Sequence, residues 1–160
     1  MTDIAMDLLI LLWLLACAIT DWRARRIPNV LTFGFLLLAA AVMLLGQRTL
    51  AGGGVQVGLL GLVMALLLTL PGFVLGRLGG GDVKLLAALG LATSVWTVLL
   101  TFIGATVVLL ASSLAARAGL GLRSGGAEGQ DAREWPFGPA LLLGYVAALA
   151  VLPMLVHHVS

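Results

Sequence analysis

Long apolar stretches occupy most of this chain and leave few charged residues to face water. Hydrophobic residues make up 61% of the 160 positions, and charged residues make up only 10%. A water-soluble domain carries about 25% charged residues. Because so little polar surface is available to cover a particle in water, the sequence predicts a protein that folds in the lipid bilayer.

Six apolar segments can be marked along the chain, and each is interpreted as a helix because only helices or closed barrels span lipid. A helix needs about 20 residues to cross the hydrocarbon core, and the fourth segment is well short of that. The segments cover approximately residues 4–20, 30–45, 55–76, 82–92, 95–116 and 137–156. The sequence predicts an all-α polytopic membrane protein, a bundle of about six transmembrane helices with a short fourth helix. We expect residues 1–160 to form a single transmembrane domain.

Positive charges are distributed unevenly between the loops that six crossings would create. Eight of the nine Lys and Arg residues fall in or beside the loops around residues 21–29, 77–81 and 117–136, and Arg48 is the exception. Basic residues concentrate on the cytoplasmic side of membrane proteins. The distribution therefore predicts that these three loops face the cytoplasm and that both termini lie outside.

Two other features of the sequence bear on its partners and on whether its first helix is cleaved. The net charge is only +2 and no basic stripe follows a helix, so we expect no nucleic-acid partner. The N-terminal region of the chain carries Asp3 and Asp7 and no Lys or Arg. A signal peptide has the opposite charge there, so we expect an uncleaved first helix.

Two aspartates stand at the edges of apolar segments on the predicted cytoplasmic side. Asp21 follows the first segment, and Asp82 opens the fourth, directly after Gly79-Gly80-Gly81. Charged groups next to the hydrocarbon are costly and usually functional. Two crossings separate these carboxylates, so both return to the same face. A pair of this kind can share one proton and activate water against a peptide carbonyl.

The same residues also have structural interpretations. Asp82 could cap a helix after a glycine turn, and Asp21 could pair with Arg25 one helical turn away. Lys84 lies two positions from Asp82, on roughly the opposite helix face, and is expected to mark the membrane interface. Proton- or cation-coupled transport is a second functional hypothesis, although the paired repeats typical of transporters are not evident.

Three short motifs follow one another along the chain. They are Asp21 followed by Arg25-Arg26-Ile27-Pro28-Asn29, then Gly79-Gly80-Gly81-Asp82-Val83-Lys84-Leu85, then Trp135-Pro136-Phe137-Gly138-Pro139. In this order they resemble the first motif, the Gly-x-Gly-Asp motif and the Pro-Phe-Gly-Pro element of one known family, the type IV prepilin peptidases. Presenilin-like proteases share Gly-x-Gly-Asp, so the set of three carries the resemblance.

The resemblance implies a membrane aspartic endopeptidase with Asp21 and Asp82 as its catalytic residues. Such an enzyme removes a short basic leader from prepilin or pseudopilin precursors on the cytoplasmic side of the bacterial inner membrane. Its expected partners are that precursor and membrane lipid, and no metal or other cofactor is expected. An inactive assembly partner of a pilus or secretion machine is the alternative. Substrate-binding or structural support is expected from Gly79, Gly81, Lys84, Pro28, Asn29, Pro136, Phe137, Gly138 and Pro139.

The sequence departs from the long members of that family between its first two helices. Long members carry a cytoplasmic domain with paired cysteines there, and they also N-methylate the product. Here residues 21–30 leave no room for that domain, and Cys17 is the only cysteine. The chain is similar to the short form found with tight-adherence pili, and we expect no methylation. The acidic residues of its long polar loop are expected to attract the basic leader: Glu128, Asp131 and Glu134.

Overall fold

The computed structural model describes residues 4–24, 27–76, 78–117 and 137–159, and within these ranges the chain forms six α-helices and no β-strand. The predicted all-α fold with a short fourth helix is confirmed. The helices are α1 (Ile4–Ala24), α2 (Asn29–Gly46), α3 (Val55–Val74), α4 (Gly80–Ala92), α5 (Val95–Arg117) and α6 (Phe137–Val159).

Four of the described helices are long and apolar enough to cross a bilayer. They are α1, α2, α3 and the Val95–Ala115 part of α5, and α6 contributes the shorter apolar stretch Phe137–Leu152. The chain is therefore a multi-pass membrane protein. By contrast, α4 has 13 residues, and at 1.5 Å per residue it extends only about 20 Å, less than the hydrocarbon thickness.

Two helix ends next to the aspartates differ from the predicted segment edges. Helix α1 continues through Asp21 to Ala24, and α4 begins at Gly80, two residues before Asp82. Apolar periodicity could not place these ends, because the added turns consist of polar, aromatic and glycine residues. Both aspartates therefore lie inside a terminal helical turn rather than just beyond the helix.

The short helix α4 is enclosed by α2, α3 and α5, and every residue from Leu85 to Ala92 is buried. Its contact with α3 is especially close. A β-carbon at Gly61 would overlap the carbonyl oxygen of Gly90, and one at Gly90 would overlap that of Gly61. Small residues that let backbones approach are typical of helix packing in membranes. This packing fixes the body of α4 among the longer helices.

The close contact between α3 and α4 gives a stability prediction. Replacing Gly61 by alanine should lower the free energy of unfolding by about 1–3 kcal/mol, because the added methyl group meets backbone that cannot rotate away. Gly34 is the matched control, since a β-carbon there meets nothing within 4 Å. Gly34→Ala should be neutral or stabilising by up to about 1 kcal/mol, from helix propensity. Thermal unfolding in detergent measures both, and equal effects would contradict the assigned contact.

Helices α1 and α2 are joined by an aromatic pair at the middle of α1. The Trp13 and Phe35 rings are stacked with centroids 3.9 Å apart and an angle of 8° between their planes. The Trp13 Nε1–H donates to the carbonyl oxygen of Leu31 at 3.0 Å. Indole N–H groups usually find such a partner when buried. These contacts hold the start of α2 against α1.

Candidate active site

Asp21 lies in the last turn of α1, with its carboxylate against the first turn of α6. The residue is only 8% exposed, and its Oδ2 accepts a hydrogen bond from the backbone N–H of Gly138 at 2.8 Å. Gly138 is the second residue of α6, and N–H groups in the first turn have no partner within their own helix. The contact therefore satisfies both a buried carboxylate and a free backbone donor.

The approach of α6 to Asp21 requires a glycine at position 138. A β-carbon there would lie 3.0 Å from Oδ2 of Asp21, 3.1 Å from its Cβ and 3.3 Å from the Cα of Ala18. All three distances are shorter than ordinary van der Waals contact. The Pro-Phe-Gly-Pro element thus contributes a backbone donor at close range, a role that residue types alone could not indicate.

Asp82 is the third residue of α4 and forms a reciprocal pair with Gly79, which precedes the helix. Its Oδ2 accepts from the Gly79 N–H at 3.1 Å, and the Asp82 N–H donates to the Gly79 carbonyl at 3.1 Å. The helix dipole also favours a negative charge at this end. Asp82 therefore stabilises the helix start through Oδ2. Its side chain is half-buried, and among the described residues no hydrogen bond is made by its other oxygen, Oδ1.

The charge of Asp21 acts on the carboxyl group of Asp82. Burial raises the pKa of Asp82 above its ordinary value, the hydrogen bond from Gly79 opposes this rise, and the charge of Asp21 adds to it. Asp82 belongs to α4, which is not among the helices long enough to cross the membrane. The site therefore combines a carboxyl group that keeps its proton to a higher pH than usual with a second carboxylate nearby.

The segment before α2 and the first turns of α4 meet next to these aspartates. A β-carbon on Gly81 would lie 3.5 Å from the side chain of Ile27. Lys84 Nζ donates to Asn29 Oδ1 at 3.0 Å and lies 4.7 Å from the centroid of the Phe33 ring. The two predicted motifs therefore contact each other directly. Phe33 was missed by the motif analysis, although its position one turn after Asn29 places it on the same helix face.

A shallow groove opens beside Asp21 on the outer surface of α1 and α6. Its volume is about 240 Å³, and its lining is mainly apolar, with one guanidinium group: Ala18, Ile19, Trp22, Arg23 and Pro139. Ala18 lies three residues before Asp21, Trp22 directly follows it, and Pro139 follows Gly138. The groove therefore runs along the part of the bundle that holds this carboxylate.

The structure brings most of the predicted supporting residues to one end of the bundle. Pro28 precedes α2 and its carbonyl oxygen accepts from the Leu31 N–H at 3.0 Å, while Phe137 begins α6. Other predicted features lie outside the described residues: Pro136, the loop acids Glu128, Asp131 and Glu134, and the possible pairing of Asp21 with Arg25.

Together these features define a class of protein: a polytopic helical membrane protein with two neighbouring carboxylates, from different helices, at one end of the bundle. The sequence model of the type IV leader peptidase family matches residues 8–116. The chain belongs to that family, and the family membership supports the general function of a prepilin-type leader peptidase. The matched range includes Asp21 and Asp82 but ends before α6. No curated protein and no solved structure matched the chain.

Proposed function

We propose that this protein is an aspartic endopeptidase that cleaves the short basic leader of a prepilin or pseudopilin precursor, with Asp21 and Asp82 as the catalytic pair. The main support is their arrangement: two carboxylates on different helices, within electrostatic range, each holding one backbone N–H. Membership of the leader peptidase family supports the substrate class. Transport is not favoured, since the family is one of peptidases.

The proposed chemistry needs one ionised and one protonated carboxylate. The ionised group takes a proton from water as the water oxygen attacks the peptide carbonyl carbon. The protonated group donates to the developing oxyanion. When the tetrahedral intermediate collapses, the C–N bond breaks and the leaving amine takes a proton from the pair. Because burial raises the pKa of Asp82, we assign the protonated role to Asp82 and the basic role to Asp21.

We further propose that the site faces the cytoplasm of a bacterial inner membrane and that both termini lie outside. The charge distribution supports this orientation, because Arg23 and Lys84 lie at the site's end of the bundle, whereas Arg48 lies between α2 and α3 at the other. The apolar helix of the precursor would then lie in lipid, and its basic leader would extend into the cytoplasm. The apolar groove beside Asp21 is the candidate contact for that helix.

Cleavage of a purified pilin precursor in detergent tests this proposal, and its pH dependence tests the assignment of roles. The rate should fall in acid, where both carboxylates are protonated, and again in base as the pH rises through the pKa of Asp82. Since that pKa is raised, the basic limb should lie above the ordinary carboxyl value of about 4. A rate that stays constant as the pH is raised from the ordinary carboxyl pKa of about 4 past the Asp82 pKa of about 6 would contradict the carboxylate pair.

A further inference from the structure

One contact beside the aspartates has no part in the proposed proton transfers. Lys84 extends from α4 to the first turns of α2, where Asn29 accepts its hydrogen bond and the Phe33 ring lies against its ammonium group. An ammonium group over an aromatic face is attracted by the negative charge of the ring face. Asn29 and Phe33 lie one turn apart, so a single lysine engages one continuous surface of α2.

This contact joins the two segments of the chain that carry the aspartates. Lys84 follows Asp82 by two residues, and Asn29 begins the helix after the segment that follows Asp21. The residues just before Asp82 are glycines, which have no side chain to anchor the start of α4 and tolerate many backbone conformations. Side-chain contacts that hold this helix end to a neighbouring helix therefore come from residues at or after Asp82.

We propose that Asn29 and Lys84 form a clasp that positions Asp82 relative to Asp21, so that Lys84 is a positioning residue rather than a catalytic one. The proposal rests on the proposed peptidase function. Residues two apart on a helix point in nearly opposite directions, so the clasp holds the ammonium group away from the Asp82 carboxylate. A cation held at Asp82 would favour its ionised form, which would remove the proton that the proposed acid donates.

Kinetics of precursor cleavage by the full chain in detergent test the clasp through four variants: Asn29→Ala, Lys84→Met, the double variant and Asn29→Asp. Each of the first two should lower kcat about fivefold to tenfold, as expected for loss of one exposed hydrogen bond of ordinary net strength. KM should change by less than about twofold, because the clasp orients the aspartates and does not hold substrate. Asn29→Asp retains an oxygen acceptor for the lysine and should keep kcat near the wild-type value.

The double variant provides the readout that a general loss of stability would not give. If the two side chains act only through each other, the double variant should be no slower than the worse single variant. Arg48→Met is the matched control: it removes a basic residue at the opposite end of the bundle and should leave kcat unchanged. Losses that multiply in the double variant, or a wild-type kcat for Asn29→Ala, would overturn the clasp.

Folding and function can be separated in the same experiment. Thermal unfolding in detergent should be similar for wild type and Asn29→Ala, which removes no charge. If Lys84→Met unfolds at a lower temperature, the clasp is tested by the kcat values of Asn29→Ala and Asn29→Asp, because both variants retain the lysine. Normal cleavage by Asn29→Ala alongside none by Asp21→Asn would refute the clasp and keep the peptidase. A wild-type protein that leaves every precursor intact would refute the proposed function itself.

Discussion

Replacing either Asp21 or Asp82 by asparagine is expected to abolish leader cleavage, with kcat falling about a thousandfold or more. Asparagine has nearly the same shape as aspartate, and its side-chain oxygen can still accept the N–H of Gly138 or of Gly79. It cannot take a proton from water or donate one to an oxyanion. The substitution therefore removes the proposed chemistry while preserving the contacts that hold each side chain.

Three comparisons make this result interpretable. Asp7→Asn removes an aspartate from the same helix as Asp21 but in its first turn, and it should cleave at close to the wild-type rate. The double variant of Asp21 and Asp82 should be no slower than either single variant, because groups that act as a unit lose their whole effect together. Thermal unfolding should show folded protein in every case. A folded single variant with near-wild-type kcat would exclude that aspartate from catalysis.

The overall fold could be predicted from the sequence because the lengths of apolar segments reflect the thickness of the bilayer. Those segments identified six helices, including α4 as the short one. The ends of the helices were less predictable. Asp21 was placed after α1, yet the helix continues past it, because the polar carboxylate is accommodated by a partner on α6. Hydropathy along the chain contains no information about such a partner.

The candidate site was only partly predictable, for a related reason. Motifs selected Asp21, Asp82 and Lys84 by residue type, and in the structure Asp82 and Lys84 share the first turns of α4 while the charge of Asp21 acts on Asp82. The contact between Gly138 and Asp21 joins residues 117 positions apart through a backbone donor, which every residue except proline possesses. The contact between Lys84 and Asn29 depends on how α4 packs against α2. Both contacts follow from helix packing, which cannot be read from the patterns of a single sequence.

Substituting Gly138 by alanine is expected to lower kcat by about tenfold to a hundredfold with little change in KM, because a small misplacement of a reacting group is costly. The added β-carbon would lie 3.0 Å from Oδ2 of Asp21 and 3.3 Å from the backbone of Ala18. Either the carboxylate or the first turn of α6 must therefore move by a few tenths of an ångström. The hydrogen bond that orients Asp21 would lengthen or bend.

The stability of Gly138→Ala should distinguish an effect on position from an effect on folding. Alanine is favoured over glycine within a helix by up to about 1 kcal/mol, which offsets part of the strain from the new contacts. We therefore expect a folded protein whose unfolding temperature changes little while its kcat falls. Gly34→Ala adds the same methyl group where nothing lies within 4 Å, and it should cleave at the wild-type rate. If Gly138→Ala also cleaved at that rate, the backbone donor of α6 would not position Asp21 for catalysis.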